Sequence, residues 1–135
     1  MNINDLTNKL KEKNIKVSFQ RIKVLEYLNN NRTHPTVDQI YNDLHLEITS
    51  LSRTTIYNTL NALVESGLVK LITIDDNTSR YDIDTRNHGH FKCQTCKNIY
   101  DFKVNIDSLS EKELKDFEIN SKDVYFKGIC PNCSI

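Results

Sequence analysis

The sequence predicts an α+β protein with an N-terminal winged helix-turn-helix domain and a smaller, cysteine-containing C-terminal domain. Three observations support this prediction. Apolar residues recur at helical spacing from Asn4 to Gly67, a β-hairpin pattern follows directly, and all four cysteines lie between Cys93 and Cys133. We place the domain boundary near residues 84–86, which gives domains of residues 1–84 and 85–135.

Four helices are predicted in the N-terminal domain, each with one apolar face. The second begins after Ser18, whose side chain suits an N-cap. The third follows residues 34–36, where Pro35 suits a first helical turn. The fourth runs over residues 52–66 and has Gly67 at its C-cap.

A β-hairpin follows the fourth helix. Residues 68–74 and 79–84 have strand patterns, and residues 75–78 between them have turn composition. Helices followed by a hairpin are typical of a winged helix, although a small helical bundle with an incidental hairpin fits the pattern equally well. In the C-terminal domain we expect strands near 99–104 and 124–129.

A short helix is also expected over residues 109–117. Ser110 and Glu113 have the spacing of a capping box at its start.

Composition narrows the class of protein. No apolar run approaches the roughly 20 residues of a membrane helix, and the N-terminus lacks a signal-peptide pattern, so we expect a soluble, cytoplasmic protein. The 18 basic and 18 acidic residues give a formal net charge of zero. Overall charge therefore gives no support to nucleic-acid binding, which must depend on a local surface.

The four cysteines form two Cys-x-x-Cys pairs, Cys93 with Cys96 and Cys130 with Cys133. Four thiolates at these spacings can complete a tetrahedron around one Zn²⁺. In a reducing cytoplasm this interpretation outweighs two disulfides, and the two pairs use every cysteine present. Four buried cysteines or a redox-active pair are the alternatives. A closed four-thiolate site has no open coordination position, so its expected role is structural.

A second cluster combines histidines and aspartates. On a strand, His88 and His90 point to the same side, and Asp101, Asp82 and His34 could add to them. This set of nitrogen and oxygen donors suits Fe²⁺, Mn²⁺ or Zn²⁺, and the sequence does not choose among them. Alternatively, the histidines are solvated linker residues and the aspartates are ordinary surface charges, because His-x-His alone is a weak signal.

The N-terminal half of the fourth predicted helix has a polar face. Its hydroxyl, amide and guanidinium groups can reach base edges and phosphates, and a helix N-terminus itself favours phosphate. A solvated polar face is the alternative interpretation. The candidate DNA-contacting residues are Ser52, Arg53, Thr54, Thr55, Tyr57, Asn58 and Asn61, with Arg21 on the second helix as a further contact.

Several segments resemble the ferric uptake regulator family of metal-dependent bacterial repressors, over nearly the whole chain. The matching segments are residues 34–41 (HPTVDQIY), 54–60 (TTIYNTL), 65–69 (ESGLV), 79–82 (SRYD), 88–96 (HGHFKCQTC) and 128–133 (GICPNC). The resemblance implies a homodimer that binds double-stranded operator DNA through winged-helix domains. Each C-terminal α/β domain would mediate dimerisation and hold one structural Zn²⁺.

Within the family, the sequence is most similar to the peroxide-sensing PerR branch. The family's regulatory site maps onto His34, Asp82, His88, His90 and Asp101, where one Fe²⁺ or Mn²⁺ per subunit is expected. Iron-sensing relatives usually carry Glu in place of Asp101. In the peroxide-sensing branch, iron-catalysed oxidation modifies a ligand histidine, which would be His34 or His88 here. Hydrogen peroxide is then a signal, and the protein is not expected to be an enzyme.

Other functions remain open at this stage. The first is an iron- or zinc-responsive repressor of the same family without peroxide chemistry. The others are a small metallohydrolase and a metal-binding protein that does not bind DNA. Five protein ligands would leave little open coordination for hydrolysis, and salt-dependent duplex binding would distinguish a repressor from a metal-binding protein.

Overall fold

Along the described part of the chain, four helices precede five short strands. The computed structural model describes residues 2–74, 77–86, 88–105 and 112–134. They fall into an N-terminal unit, Met1–Thr85, and a C-terminal unit, Arg86–Ile135. The predicted α+β class is confirmed. The elements are α1 Ile3–Glu12, α2 Phe19–Asn30, α3 Val37–Leu44, α4 Arg53–Glu65, β1 Lys70–Ile72, β2 Arg80–Asp82, β3 Gly89–Cys93, β4 Ile99–Phe102 and β5 Tyr125–Gly128.

Polar side chains fix where α2 and α3 begin. The Ser18 hydroxyl accepts the backbone N–H of Arg21, as an N-cap does. Thr36 caps α3 and forms a capping box with Gln39, so the expectation that Pro35 lies in the first turn is wrong. Pro35 lies just before the N-cap, and its carbonyl accepts the backbone N–H of Tyr81 at 3.0 Å.

Helix α4 ends in a Schellman motif. Gly67 follows the C-cap residue, Ser66, and has a φ of +83°, so it lies one position beyond the predicted C-cap. Its N–H donates to the Val64 carbonyl, and the N–H of Leu68 donates to the Leu63 carbonyl, both at 3.1 Å. These bonds satisfy carbonyls at the helix end and direct the chain into β1.

One apolar core holds the N-terminal unit together. Each of the four helices contributes residues that are fully buried, among them Leu6, Leu25, Ile40 and Leu60. Tyr81 closes this core from β2, which pairs antiparallel with β1. The antiparallel hairpin therefore packs directly on the helices.

The C-terminal unit is built on a three-stranded sheet in the order β4-β3-β5. Strand β3 is antiparallel to β4 and parallel to β5. Because side chains alternate along strands, His90 and Asp101 lie on one face, while the other face carries aromatic residues. These aromatic residues are Phe91, Tyr100, Phe102 and Phe126.

The short helix predicted over residues 109–117 is not present in its described part, residues 112–117. Residues 109–111, including Ser110 of the expected capping box, lie outside the described residues. Residues 112–116 form turns, and Asp116 has a φ of +71°, which ends any helical run. In the described part of the chain, no helix is both long enough and apolar enough to cross a lipid bilayer.

Candidate metal centres and nucleic-acid interface

The four cysteines converge in the C-terminal unit. Cys93 ends β3 and pairs in register with Gly128 of β5, so the parallel pairing brings the two Cys-x-x-Cys segments together across the intervening chain. Their sulfurs all lie within 4.8 Å of one another, and all four are free thiols. The sulfurs of Cys96 and Cys130 are 3.8 Å apart. A zinc tetrahedron with Zn–S bonds of about 2.3 Å has edges of about 3.8 Å.

Backbone N–H groups point at the buried Cys93 sulfur. The N–H groups of Cys130 and Cys96 each donate to it at 3.4 Å. These bonds favour the thiolate, and they lower the pKa of Cys93 to about 6. Because the thiolate is the form that binds metal, Cys93 is suited to ligate Zn²⁺.

Two candidate ligands meet within the N-terminal unit. His34 and Asp82 are both buried, and Nε2 of His34 lies 3.3 Å from Oδ2 of Asp82. His34 has a φ of +59°, in the left-handed region. Asp82 is the last residue of β2, and its Oδ1 accepts the backbone N–H of Asp84. Oδ2 therefore faces His34 while the other oxygen is held locally.

Three candidate ligands meet within the C-terminal unit. Nε2 of His88 lies 3.6 Å from Oδ2 of Asp101, and Nε2 of His90 lies 3.5 Å from Oδ1. Register explains one of these pairs, because His90 and Asp101 are opposite each other in β3 and β4. His88 lies just before β3 rather than in it, yet its ring centroid is only 4.5 Å from that of His90.

A backbone contact sets the tautomer of His88. Its Nδ1 lies 2.7 Å from the carbonyl oxygen of Arg86, and a carbonyl only accepts, so Nδ1 carries the proton. The lone pair is then on Nε2, the atom that faces Asp101. Histidines that ligate metals are commonly oriented by such a bond from their other ring nitrogen.

The spacings in these two groups fit shared coordination better than hydrogen bonding. Distances of 3.3–3.6 Å exceed the roughly 2.7–3.2 Å of N–H···O hydrogen bonds. Two donors on one ion, with bonds of about 2.1 Å, lie about 3.0 Å apart in an octahedron and about 3.4 Å apart in a tetrahedron. The spacing in each group is thus compatible with metal coordination, and the nitrogen and oxygen donors suit Fe²⁺, Mn²⁺ or Zn²⁺.

The first turn of α4 combines capping with an exposed polar face. The Ser52 hydroxyl accepts the Thr55 N–H at 3.1 Å, so both side chains take part in the helix start. Thr54, Tyr57, Asn58 and Asn61 are exposed on the same helix. Tyr57 also lines a polar cleft of about 220 Å³ together with the start of α3 and residues 77–79.

Two residues that the sequence analysis did not single out hold Arg53. Its Nε donates to Oδ1 of Asp38 at 3.0 Å, and its guanidinium carbon lies 4.0 Å from the centre of the Tyr41 ring. Both partners lie on α3. No local sequence signal marks this triad, because it forms only when α3 packs against α4.

Arg21 lies apart from the other candidate DNA contacts. Its Nη1 donates to the Lys16 carbonyl at 3.0 Å, and it lines a cavity with Ala62 and Glu65. Ala62 is nine residues beyond Arg53 along α4, a rise of about 14 Å. The structure therefore places Arg21 near the opposite end of α4 from the candidates on its first turn.

Comparisons with known proteins agree on one family. The model of the ferric uptake regulator family matches residues 12–134. The peroxide-responsive repressor PerR of Staphylococcus aureus (strain Mu50) is 35% identical over 128 residues, which cover 92% of this chain and 86% of that protein. PerR from Streptococcus pyogenes is 30% identical, with a TM-score of 0.56 over 97% of this chain and 92% of that one.

The fold is shared more widely than the sequence. The ferric uptake regulator of Helicobacter pylori, at 21% identity, gives a TM-score of 0.80 over 100% of this chain and 95% of that one. The family match includes all four cysteines and the five histidine and aspartate candidates. The chain therefore belongs to the ferric uptake regulator family.

Proposed function

We propose that this protein is a metal-dependent, DNA-binding transcriptional repressor that senses hydrogen peroxide. The observation that carries the proposal is the spacing of 3.3–3.6 Å between imidazole nitrogens and carboxylate oxygens in both units. Structural histidines and aspartates would close to hydrogen-bond distance, whereas donors that share an ion keep this separation.

One regulatory ion would be shared by both units. His34 and Asp82 belong to the N-terminal unit, and His88, His90 and Asp101 to the C-terminal unit. We propose that Fe²⁺ or Mn²⁺ binds all five, so that the ion selects one arrangement of the two units. A ligand that favours one arrangement shifts the population toward it. The ion is therefore an effector, and five protein ligands leave little room for hydrolytic chemistry.

The second ion would be a structural Zn²⁺ on Cys93, Cys96, Cys130 and Cys133. The 3.8 Å sulfur spacing and the N–H groups that donate to Cys93 support this assignment. A zinc ion there would tie the end of β3 to the segment after β5. It would stabilise the C-terminal unit and take no part in sensing.

The repressor would act as a homodimer. The aromatic face of the C-terminal sheet leaves Phe126 54% exposed and Tyr100 37% exposed, and Ile129 nearby is 47% exposed. A second copy that covers this face would remove the apolar surface from water. Two N-terminal units could then read successive major grooves, about 34 Å apart.

Operator DNA would meet the first turns of α4. The exposed hydroxyl, amide and guanidinium groups of residues 53–61 are suited to base edges and phosphates. Arg21, near the other end of α4, would contact backbone phosphate. We expect the protein in the cytoplasm, where it would reach such DNA.

We infer the peroxide chemistry from two facts. The chain is similar to PerR repressors, and none of its five candidate ligands is a cysteine. Fe²⁺ held by these five residues would supply redox catalysis for cleavage of the O–O bond of hydrogen peroxide, with no net change in the oxidation state of the iron. In the balanced reaction, one peroxide oxygen enters an imidazole C–H bond of His34 or His88, and the other leaves as water. The imidazole is oxidised by two electrons, and the oxidised ring is a poorer ligand, which releases the repressor from DNA.

The test begins with DNA binding, because peroxide sensing requires it. A random duplex library is selected with the Mn²⁺-loaded protein, and the affinity for the selected duplex is measured with and without Mn²⁺. We expect at least tenfold tighter binding with Mn²⁺, and no such gain in a His90→Ala variant. Equal binding with and without the ion would reject a metal-dependent repressor.

The peroxide step is tested by peptide mass spectrometry. The Fe²⁺-loaded protein is treated with dilute hydrogen peroxide beside a Mn²⁺-loaded control. We expect one added oxygen on the peptide of His34 or His88 in the iron form alone. Oxidation confined to cysteines would instead support an iron- or zinc-responsive repressor without peroxide chemistry.

A further inference from the structure

Strand β2 contacts the segment that carries His34 through three successive residues. Nη1 of Arg80 donates to the His34 carbonyl at 3.2 Å, and the backbone N–H of Tyr81 donates to the Pro35 carbonyl at 3.0 Å. Asp82 then faces the His34 ring at 3.3 Å. Because side chains alternate along a strand, Arg80 and Asp82 project to the same side, and both reach His34.

The conformation of His34 needs such support. Its φ of +59° lies in the left-handed region, which is disfavoured for a residue with a side chain. Pro35 follows it, and proline further restricts the residue before it. In this conformation the carbonyl points to Arg80 while the ring points to Asp82. A return to the ordinary extended conformation would redirect both groups.

We propose that Arg80 is a positioning residue for the regulatory metal, because its bond to the His34 carbonyl keeps the imidazole aimed at the ion. This inference rests on the proposed function, in which His34 and Asp82 are metal ligands. Arg80 itself does not touch the ion. Its guanidinium stays charged when half-buried, so it remains a strong donor to the carbonyl.

The head group of arginine suits this role. The guanidinium is planar and has five donors in a fixed geometry, so one N–H can hold the carbonyl while others are engaged elsewhere. Lysine keeps the charge and a donor group, and methionine keeps an apolar stem without either. The series Arg80→Lys, Arg80→Met therefore separates the hydrogen bond from the packing of the side-chain stem.

The experiment measures Mn²⁺ affinity in the full-length, zinc-loaded protein by electron paramagnetic resonance titration. We expect Arg80→Met to weaken Mn²⁺ binding about tenfold, the lower end of the loss seen when outer-shell partners are removed. Arg80→Lys should stay within about threefold of the parent. The matched control is Arg32→Met. Arg32 lies two residues before His34, is exposed and donates to Asn29.

A double-mutant cycle distinguishes positioning from a general loss of stability. In a His34→Ala background, Arg80→Met should cause no further loss of Mn²⁺ affinity, because its effect passes through His34. An additive loss in that background would overturn the proposal. Arg80→Ala, which also has no donor, takes the place of Arg80→Met in the same cycle if thermal unfolding shows that the methionine variant does not fold.

Two further outcomes are decisive. If Arg80→Met binds Mn²⁺ as the parent does but binds DNA less well, Arg80 is a DNA contact and not a positioning residue. If the parent and the His90→Ala variant bind Mn²⁺ equally, or if neither binds it, the proposed regulatory site fails. The role of Arg80 then fails with it. The first outcome leaves the proposed function standing, so the two failures are distinguishable.

Discussion

Gly89 lies directly against the ring of Phe102. The two residues are opposite each other in the β3–β4 pair, and a Cβ on Gly89 would lie 2.3 Å from Cζ of Phe102. The Phe102 ring in turn lies 5.0 Å, centre to centre, from the ring of Phe126. The residue between His88 and His90 therefore supports the aromatic face of the sheet by having no side chain.

Gly89→Ala should disturb that face. The methyl group would force the Phe102 ring away from Phe126, and overpacking of this kind costs about 1–3 kcal/mol of stability. We expect the C-terminal unit to unfold at lower urea, followed by circular dichroism, and the dimer to dissociate at higher protein concentration in sedimentation experiments.

Gly128→Ala is the matched control for this change. A Cβ there would lie 3.3 Å from Cζ of Phe91, so a shift of a few tenths of an ångström accommodates it. The two substitutions add the same methyl group to neighbouring strands of one sheet. Equal effects of both would show that the Phe102 contact has no special weight.

Arg53 should change partners when DNA binds. Its ion pair with Asp38 is exposed, and exposed pairs contribute about 0–1 kcal/mol, so a phosphate can displace the carboxylate. Asp38→Asn should therefore tighten duplex binding about two- to fivefold, by removing a competing negative charge. Fluorescence anisotropy on the selected duplex measures this gain.

The salt dependence of binding provides the control for Arg53. Arg53→Gln should weaken binding and reduce the slope of log affinity against log salt by about 1, because one phosphate contact is lost. Arg32→Gln, at an exposed arginine that donates to Asn29 and lies outside the first turn of α4, should leave the slope unchanged. Tighter binding by Asp38→Asn even in the Arg53→Gln background would contradict the exchange of partners.

Local rules predicted the parts of the fold that local chemistry decides. Ser18 caps α2 and Gly67 takes a left-handed conformation after α4, both within the reach of a few residues. Pro35 lies before α3 because Thr36 is the N-cap, as the capping-box spacing of Thr36 and Gln39 indicates locally. The bond from the Tyr81 N–H to the Pro35 carbonyl joins residues 46 apart in sequence. Local patterns carry no information on a partner at that separation.

The candidate sites divide in the same way. The Cys-x-x-Cys spacing predicted the four-cysteine cluster directly from the sequence. The His-x-His pattern was a weaker signal, and His88 lies just before β3 rather than in it. His34 and Asp82 entered mainly through the family resemblance, since nothing local marks them as ligands. The triad of Arg53 with Asp38 and Tyr41, and the bond from Arg80 to His34, depend on packing between elements and could not be predicted.

Removal of zinc should unfold the C-terminal unit and spare the N-terminal one. The cysteine cluster joins β3 to the segment after β5, whereas the N-terminal unit has its own apolar core. A strong chelator at pH 7 should abolish dimer formation and reduce strand content, while helical circular dichroism persists. Structural zinc sites contribute about 10 kcal/mol or more of binding free energy, so this loss should be complete.

Cys130→Ser should reproduce the effect of chelation, and Ser134→Ala is its control. Ser134 follows the last cysteine, and its hydroxyl donates to the nearby Pro131 carbonyl at 3.2 Å. Retained zinc, measured by atomic absorption, and an intact dimer in Cys130→Ser would contradict a structural four-thiolate site.

Asp101→Glu should separate metal-dependent DNA binding from peroxide sensing. The two carboxylate oxygens of Asp101 lie 3.5 Å and 3.6 Å from the Nε2 atoms of His90 and His88. One more methylene group moves the carboxylate by about 1.5 Å, which changes the ligand geometry without removing a donor. We expect Mn²⁺-dependent DNA binding within about threefold of the parent. Oxidation of His34 or His88 in the Fe²⁺ form should slow at least fivefold, as measured by peptide mass spectrometry over time.

Asp101→Asn keeps the side-chain size and removes the charge, so it should weaken metal binding itself. If the Glu variant is oxidised as fast as the parent, Asp101 does not distinguish a peroxide sensor from an iron sensor in this chain.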